Sequence, residues 1–303
     1  MTDRLAVYTT VFPAVQKFLA AWYESVLRQT DRSFDLFIGC DELSSADVQT
    51  LLGRSVEATW HMAPRGSTPT QVREATIREI LRDGSYNSVV FVDADDVLHA
   101  TRVESARREM ARSDVAGCGL EIIREDGSST GHYFGPSSSA LDFDTLLPRC
   151  NFFGMSNTVY RTSVLARCLP LPAKCAMMDW FLITRAWASG ASLTFDPSRR
   201  MYYRQYSSNL AQVLSPFSAP YIRRATAMVL VHYRMVLTGI PELPTSVRRL
   251  LQQAQDRVLQ FEQRVASNES NLQYYVTALN ALPPSPMWWT CVARPELEEM
   301  WRS

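Results

Sequence analysis

Short apolar runs and longer amphipathic stretches alternate along the first hundred residues. The runs at 5–11, 34–39, 56–62 and 88–92 are rich in β-branched and aromatic side chains, and each reads as a strand. Between them, 15–27 and 45–52 carry helical periodicity, and Ser44 or Ser45 can cap the second. The tetrapeptide Thr68-Pro69-Thr70-Gln71 is a capping box with proline at the first helical position. The helix it opens turns Val72, Ile77, Ile80 and Leu81 inward and ends before Asp83-Gly84. Strand and helix in alternation predict a parallel, Rossmann-like sheet with right-handed crossovers. The run at 88–92 is apolar on both faces, as a central strand covered from above and below must be. It ends in three carboxylates, Asp93, Asp95 and Asp96.

Beyond residue 100 the pattern loosens. A polar helix over 102–112 leads into a strand at 115–124, and Asp126-Gly127 turns the chain back through 128–134. A further strand is expected at 151–160, a helical turn at 161–167, and a helix at 177–189 with Asp179 in its first turn and Gly190 at its end. Residues 193–195 and 200–204 are extended. From 215 onward no strand pattern survives, and 221–237 and 245–282 read as two helices before Pro283-Pro284 opens a tail. In the second helix Val247, Leu251, Ala254, Val258, Phe261, Val265, Leu272, Tyr275 and Leu279 fall at steps of four and three, with Asn268 the one polar member. That is a heptad seam of roughly nine turns. A narrow seam needs a second helix, either 221–237 in a hairpin or another copy of the chain. The lone asparagine and the shorter hairpin partner point to a homodimer through 215–303. Met287, Trp288, Trp289 and Trp301 would add aromatic surface for the partner or for a membrane face.

Composition narrows the class. The 303 residues are 46% hydrophobic and 20% charged, enough for one large domain or one domain with an appendage. Lysine plus arginine (31) balances aspartate plus glutamate (31), so no global basic field argues for nucleic acid. No secretory signal is expected, because Asp3 and Arg4 interrupt the start, and no span is expected, because His232 and Arg234 break the apolar stretch at 225–237. The six cysteines form no Cys-x-x-Cys pair and are expected to be buried thiols of a cytoplasmic protein, at most peripheral to the inner membrane face.

The strand-end acids carry the candidate chemistry. In open α/β sheets ligands sit at the carboxyl ends of strands. Clustered carboxylates repel one another unless a cation joins them. Oxygen-only donors suit Mg²⁺ or Mn²⁺, ions that usually also hold a substrate's phosphates. The same residues also suit an acidic turn that caps the following helix.

Five pieces in order resemble the family 2 glycosyltransferases of GT-A fold, over roughly 5–210. They are Ala6-Val7-Tyr8-Thr9-Thr10, Phe37-Ile38-Gly39-Cys40-Asp41, Val72-Arg73-Glu74-Ala75, Phe91-Val92-Asp93-Ala94-Asp95-Asp96, and Met178-Asp179-Trp180 with Tyr203-Arg204-Gln205-Tyr206 behind it. The resemblance implies an inverting enzyme that moves a sugar from a nucleoside-diphosphate sugar, UDP favoured, to a hydroxyl of a glycan, glycolipid or small glycoside. It implies a GT-A domain at 1–214 and a helical extension at 215–303. Thr9 and Asp41 would line the base, Arg73 would approach base and diphosphate, Asp93 would meet ribose or metal, and Asp95 would hold Mn²⁺ or Mg²⁺. Asp179 would be the catalytic base, and Trp180 and Tyr206 would face sugar or acceptor. The loop 135–139 would close over the donor.

Two positions depart from the family. Its paired acids before the tryptophan are reduced to Met178-Asp179, and its Tyr-Arg-x-His ends here in Tyr206. His61, His99, His132 and His232 are scattered and form no replacement pattern, though His99 lies near Asp95. A nucleotidyltransferase is the rival enzyme, but 9–13 lacks its glycine-rich signature. A catalytically silent nucleotide-sugar-binding module is the rival from another class.

Overall fold

The computed structural model describes residues 4–240, 242–285 and 287–302. The chain divides into two compact units, one of Met1–Ser139 with Phe153–Tyr206, the other of Ala140–Phe152 with Ser207–Ser303.

The first unit is built on one sheet. Strand β1 (Leu5–Val11) pairs in parallel with β2 (Phe34–Cys40) on one side and β4 (Ser88–Phe91) on the other, and β3 (Thr59–Met62) continues beyond β2. Helices α1 (Leu19–Leu27), α2 (Ser45–Leu52) and α3 (Pro69–Asp83) supply the crossovers. After β4 come the two-residue strand β5 (Val97–Leu98) and helix α4 (Arg102–Met110), then β6 (Val115–Ile123), β7 (Ser129–Phe134) and β8 (Thr158–Arg161). Helices α6 (Thr162–Arg167) and α7 (Met178–Ala188) precede β9 (Leu193–Arg204). The order is β3-β2-β1-β4-β8-β6-β9-β5, with β7 hydrogen-bonded to the free length of β6. β4 is completely buried, as its two apolar faces require.

Local signals explain most of these elements. The capping box forms as expected: the Thr68 hydroxyl accepts from the Gln71 amide, and Gln71 Oε1 accepts from the Thr68 amide. Ser44 does the same for α2 with Asp47. Gly39 lets α3 approach the sheet, since a Cβ there would lie 2.7 Å from the Thr76 hydroxyl. The strand expected over 151–160 forms only at its end, because 154–157 turn sharply: the Gly154 amide donates to Asn157 Oδ1 at 2.6 Å. The two extended pieces at 193–195 and 200–204 are one strand, kinked where its register with β6 shifts.

The second unit is helical: α5 (Phe143–Leu146), α8 (Ala219–Gly239), α9 (Thr245–Phe261) and α10 (Glu269–Ala281). The seam expected to run through one nine-turn helix is divided. After a π-turn at Glu262–Ala266 the backbone extends at Asn268, whose side chain accepts from the Asn271 amide and caps α10. Asn268 ends one helix and starts the next, which accounts for a polar residue at that point of the seam. The seam residues Leu251, Val258, Phe261, Val265, Leu272 and Tyr275 are all buried within the chain, with α9 packed along α8. The argument for a second copy therefore loses its premise. Trp288, Trp289 and Trp301 are buried too, Trp301 edge-on to Phe261 and Trp288 bridged to Asn151. The tail fills the unit's own core, so these tryptophans offer no surface to a membrane. No helix among the described residues is long and apolar enough to cross one.

Candidate active site

The carboxyl ends of β1, β2 and β4 share one edge of the sheet because these strands run in parallel. Asp93, Asp95 and Asp96 leave that edge in a tight turn, closed by the Asp96 amide donating to Asp93 O at 3.1 Å. Carboxylate oxygens of the three lie within 4.8 Å of one another. They are not equivalent. Asp96 is buried and both its oxygens are engaged, Oδ2 by the Ser156 hydroxyl and Oδ1 by the Arg204 amide at 2.7 Å. Ser156 Oγ in turn accepts the Asp93 amide at 3.0 Å. Asp96 is thus an internal strut that fixes the turn. Asp93 and Asp95 each have one oxygen engaged: Arg73 Nη2 donates to Asp93 Oδ1 at 3.2 Å, and the Tyr206 hydroxyl donates to Asp95 Oδ2 at 2.7 Å.

Arg73 stands on the second turn of α3 and feels four of the expected site acids, Asp41, Asp93, Asp95 and Asp179. Its burial weakens the cation, but Asp93, Tyr8 and Asp179 outweigh that and raise its pKa. Asp179 sits in the first turn of α7, its Oδ1 accepting the Trp180 amide at 2.8 Å. The segment before α7 is tied to the head of α3: the Thr68 and Thr70 hydroxyls donate to Ala173 O and Cys175 O, both at 2.8 Å. The Leu171 amide adds a bond to Glu74 Oε2 at 2.7 Å. These bonds tie the segment that leads into the Asp179 helix to the Arg73 helix.

Burial dominates the electrostatics. It pushes Asp179 up to about 6, helped by Asp93 and opposed by the Trp180 amide and Arg73. Asp95 also rises to about 6, through burial first and Asp93 second, against the Tyr206 bond. Asp96 rises well above the carboxylate range through burial and its two acidic neighbours. Burial and Glu42 raise Asp41 as well. Four acids around one arginine leave an excess of negative charge, which a divalent cation held by Asp93 and Asp95 would offset, favouring the ionised form of its own ligands. The donor set, carboxylate oxygens on a rigid turn, fits Mg²⁺ or Mn²⁺.

The remaining expected residues divide. Asp41 is half-buried at the end of β2, its amide donating to Val11 O at 2.9 Å. Thr9 lies inside β1, 1% exposed and with its hydroxyl unpartnered, while Tyr8 and Thr10, hydrogen-bonded at 2.7 Å, take the other face. Strand alternation makes Thr10, not Thr9, the companion of the Arg73 side. Trp180 is 0% exposed and packs in the core, so it presents no ring to a sugar. Met178, in the place of the family's first acid, is buried as well. His99 turns away from Asp95, its Nδ1 3.1 Å from the Thr101 hydroxyl. Sequence reasoning missed Ser156, whose only signal was its place in a glycine- and asparagine-flanked turn before a strand. A groove of about 810 Å³ shares Phe18 and Arg204 with the surroundings of Tyr206, and Ile123, Glu125 and Tyr202 also line it.

A mixed sheet with a parallel Rossmann-like half, ending in acids at the carboxyl edge, defines the GT-A fold. Among solved structures, residues 1–349 of S. aureus TarS in complex with UDP-GlcNAc superpose with a TM-score of 0.59 and 13% identity, covering 89% of this chain and 76% of that one. The same TarS fragment in a second structure gives 0.59 and 14%, over 91% and 79%. Against the longer TarS chain the TM-score is 0.59 at 14% identity, covering 92% of this chain and 48% of that one, so the chain spans about half its length. At these identities the likeness is one of fold. No protein-family model and no curated protein matches the sequence.

Proposed function

We propose that the chain is an inverting glycosyltransferase that takes its sugar from a nucleoside-diphosphate sugar, UDP favoured, and delivers it to an acceptor hydroxyl. The observation that carries this reading is the convergence of Asp93, Asp95 and Asp179 around Arg73 at the carboxyl edge of a GT-A sheet. The likeness to TarS with UDP-GlcNAc supports the choice of donor. Asp95 and Asp93 would hold Mn²⁺ or Mg²⁺, which would neutralise the departing diphosphate. Arg73 adds a fixed positive charge beside that position. Asp179, ionised above about pH 6, takes the proton of the attacking hydroxyl, and a single displacement inverts the anomeric carbon. Burial raises its basicity well above that of an exposed carboxylate, which suits a base working near neutral pH. Asp41 at the end of β2 would accept an N–H of the base.

A silent nucleotide-sugar-binding module is the second reading, favoured by the buried Met178 where a second acid would stand. A thermal-shift screen of nucleoside diphosphates and nucleotide sugars, with and without Mn²⁺, tests the donor assignment. Stabilisation by UDP or a UDP-sugar that needs the cation is expected. No stabilisation by any nucleotide would overturn it.

A further inference from the structure

Tyr206 stands next to the acidic turn without a part in the reading above, and the geometry points to a role for it. Tyr206 is a positioning residue for Asp95: its phenol fixes the carboxylate so that one oxygen faces the cation site. The inference rests on the cation reading above and deepens it.

Three observations carry it. The phenol O–H donates to Asp95 Oδ2 at 2.7 Å, a charge-assisted bond that settles which way the carboxylate faces. The ring is itself held, with Phe18 at 5.0 Å between centroids and the Lys17 ammonium 5.5 Å from the ring centre. Lys17 is anchored in turn by Glu125. Finally, the chain leading to Tyr206 is pinned two residues earlier. The Arg204 amide donates to Asp96 Oδ1 at 2.7 Å, and its guanidinium donates to Asp95 O at 2.8 Å and Glu125 O at 2.8 Å. The phenol therefore reaches Asp95 from a backbone that the same acidic turn has already fixed. Asp93 has the matching arrangement, with Arg73 on one oxygen. Each candidate metal ligand is thus steadied by one donor from the protein, and the site presents one oxygen from each.

Outer partners of this kind typically change metal affinity by about 10–100-fold when removed. The test is a Mn²⁺ titration followed by electron paramagnetic resonance, with saturating UDP, on the wild type, Tyr206→Phe and Tyr206→His. Tyr206→Phe should weaken Mn²⁺ at least tenfold, while its metal-free circular dichroism stays at the wild-type spectrum. Tyr206→His, which restores a ring N–H toward Asp95, should recover most of the loss. A structural role alone would alter the metal-free circular dichroism and leave histidine no better than phenylalanine. Mn²⁺ affinity in Tyr206→Phe equal to that of the wild type, or equal weakness of both variants, would overturn the inference. A wild type that binds no Mn²⁺ would overturn the cation reading, and the inference would fall with it.

Discussion

Replacing Asp179 with asparagine should stabilise the protein at neutral pH while disabling it. The folded structure raises this carboxyl from 3.8 to about 6, mainly by burial. One pKa unit is worth about 1.4 kcal/mol, so the ionised form costs at most about 3 kcal/mol relative to the unfolded chain. Part of the side chain remains in contact with solvent, which brings the expected figure to about 1–2 kcal/mol. The sign follows from proton uptake. Between the unfolded and folded pKa values the native state binds the extra proton, so stability falls as pH rises through that window. The cost is fully present above about pH 6 and absent below about pH 4. Asparagine keeps the volume and an oxygen for the Trp180 amide, so little else changes. Urea unfolding in EDTA across that range should show Asp179→Asn more stable by about 1–2 kcal/mol near pH 8, with the gap closing toward pH 4. Asp95 and Asp96 are common to both proteins and cancel in the difference. A variant that is less stable throughout, or a gap independent of pH, would refute the claim that Asp179 is held ionised against burial.

Other consequences follow from neighbouring contacts. Asp95→Asn should abolish the Mn²⁺-dependent part of the UDP thermal shift, because it removes charge without volume. Arg73→Ala should move the acidic limb of the pH–rate profile upward from about 6, since Arg73 opposes the protonation of Asp179. Ser156→Ala leaves buried Asp96 Oδ2 and the Asp93 amide short of a partner and should cost about 1–3 kcal/mol in urea unfolding.

The fold was largely legible because its signals are local. The Thr68–Gln71 capping box, the Ser44 cap and the doubly apolar run at 88–92 each specify an element without knowledge of its neighbours. That Asp41 and Asp93 lie at one edge of the sheet was also implied by the sequence, because strands alternating with helices run parallel. What failed depends on partners distant in sequence. The heptad period identified a buried stripe but not what covers it, and the same stripe serves an intrachain bundle as well as a dimer. Trp180 and the tail tryptophans read as ligand or membrane contacts because sequence shows aromatic rings, not the cavities they fill. Thr9 was placed by motif, whereas alternation along β1 sends its side chain to the other face. Ser156 was invisible because nothing before the structure places the start of β8 beside the end of β4, where an antiparallel neighbour brings it.

The central claim, that Asp179 is the base of a sugar transfer from a UDP-sugar, is tested most directly by the release of UDP. A panel of UDP-sugars with Mn²⁺, offered with water or simple glycosides as acceptors, would be incubated with the wild type and with Asp179→Asn. UDP affinity would be measured on both proteins. The account predicts cation-dependent release by the wild type, and release slower by a factor of about 10² to 10⁴ in the variant at unchanged UDP affinity. Release by Asp179→Asn at the wild-type rate would contradict it.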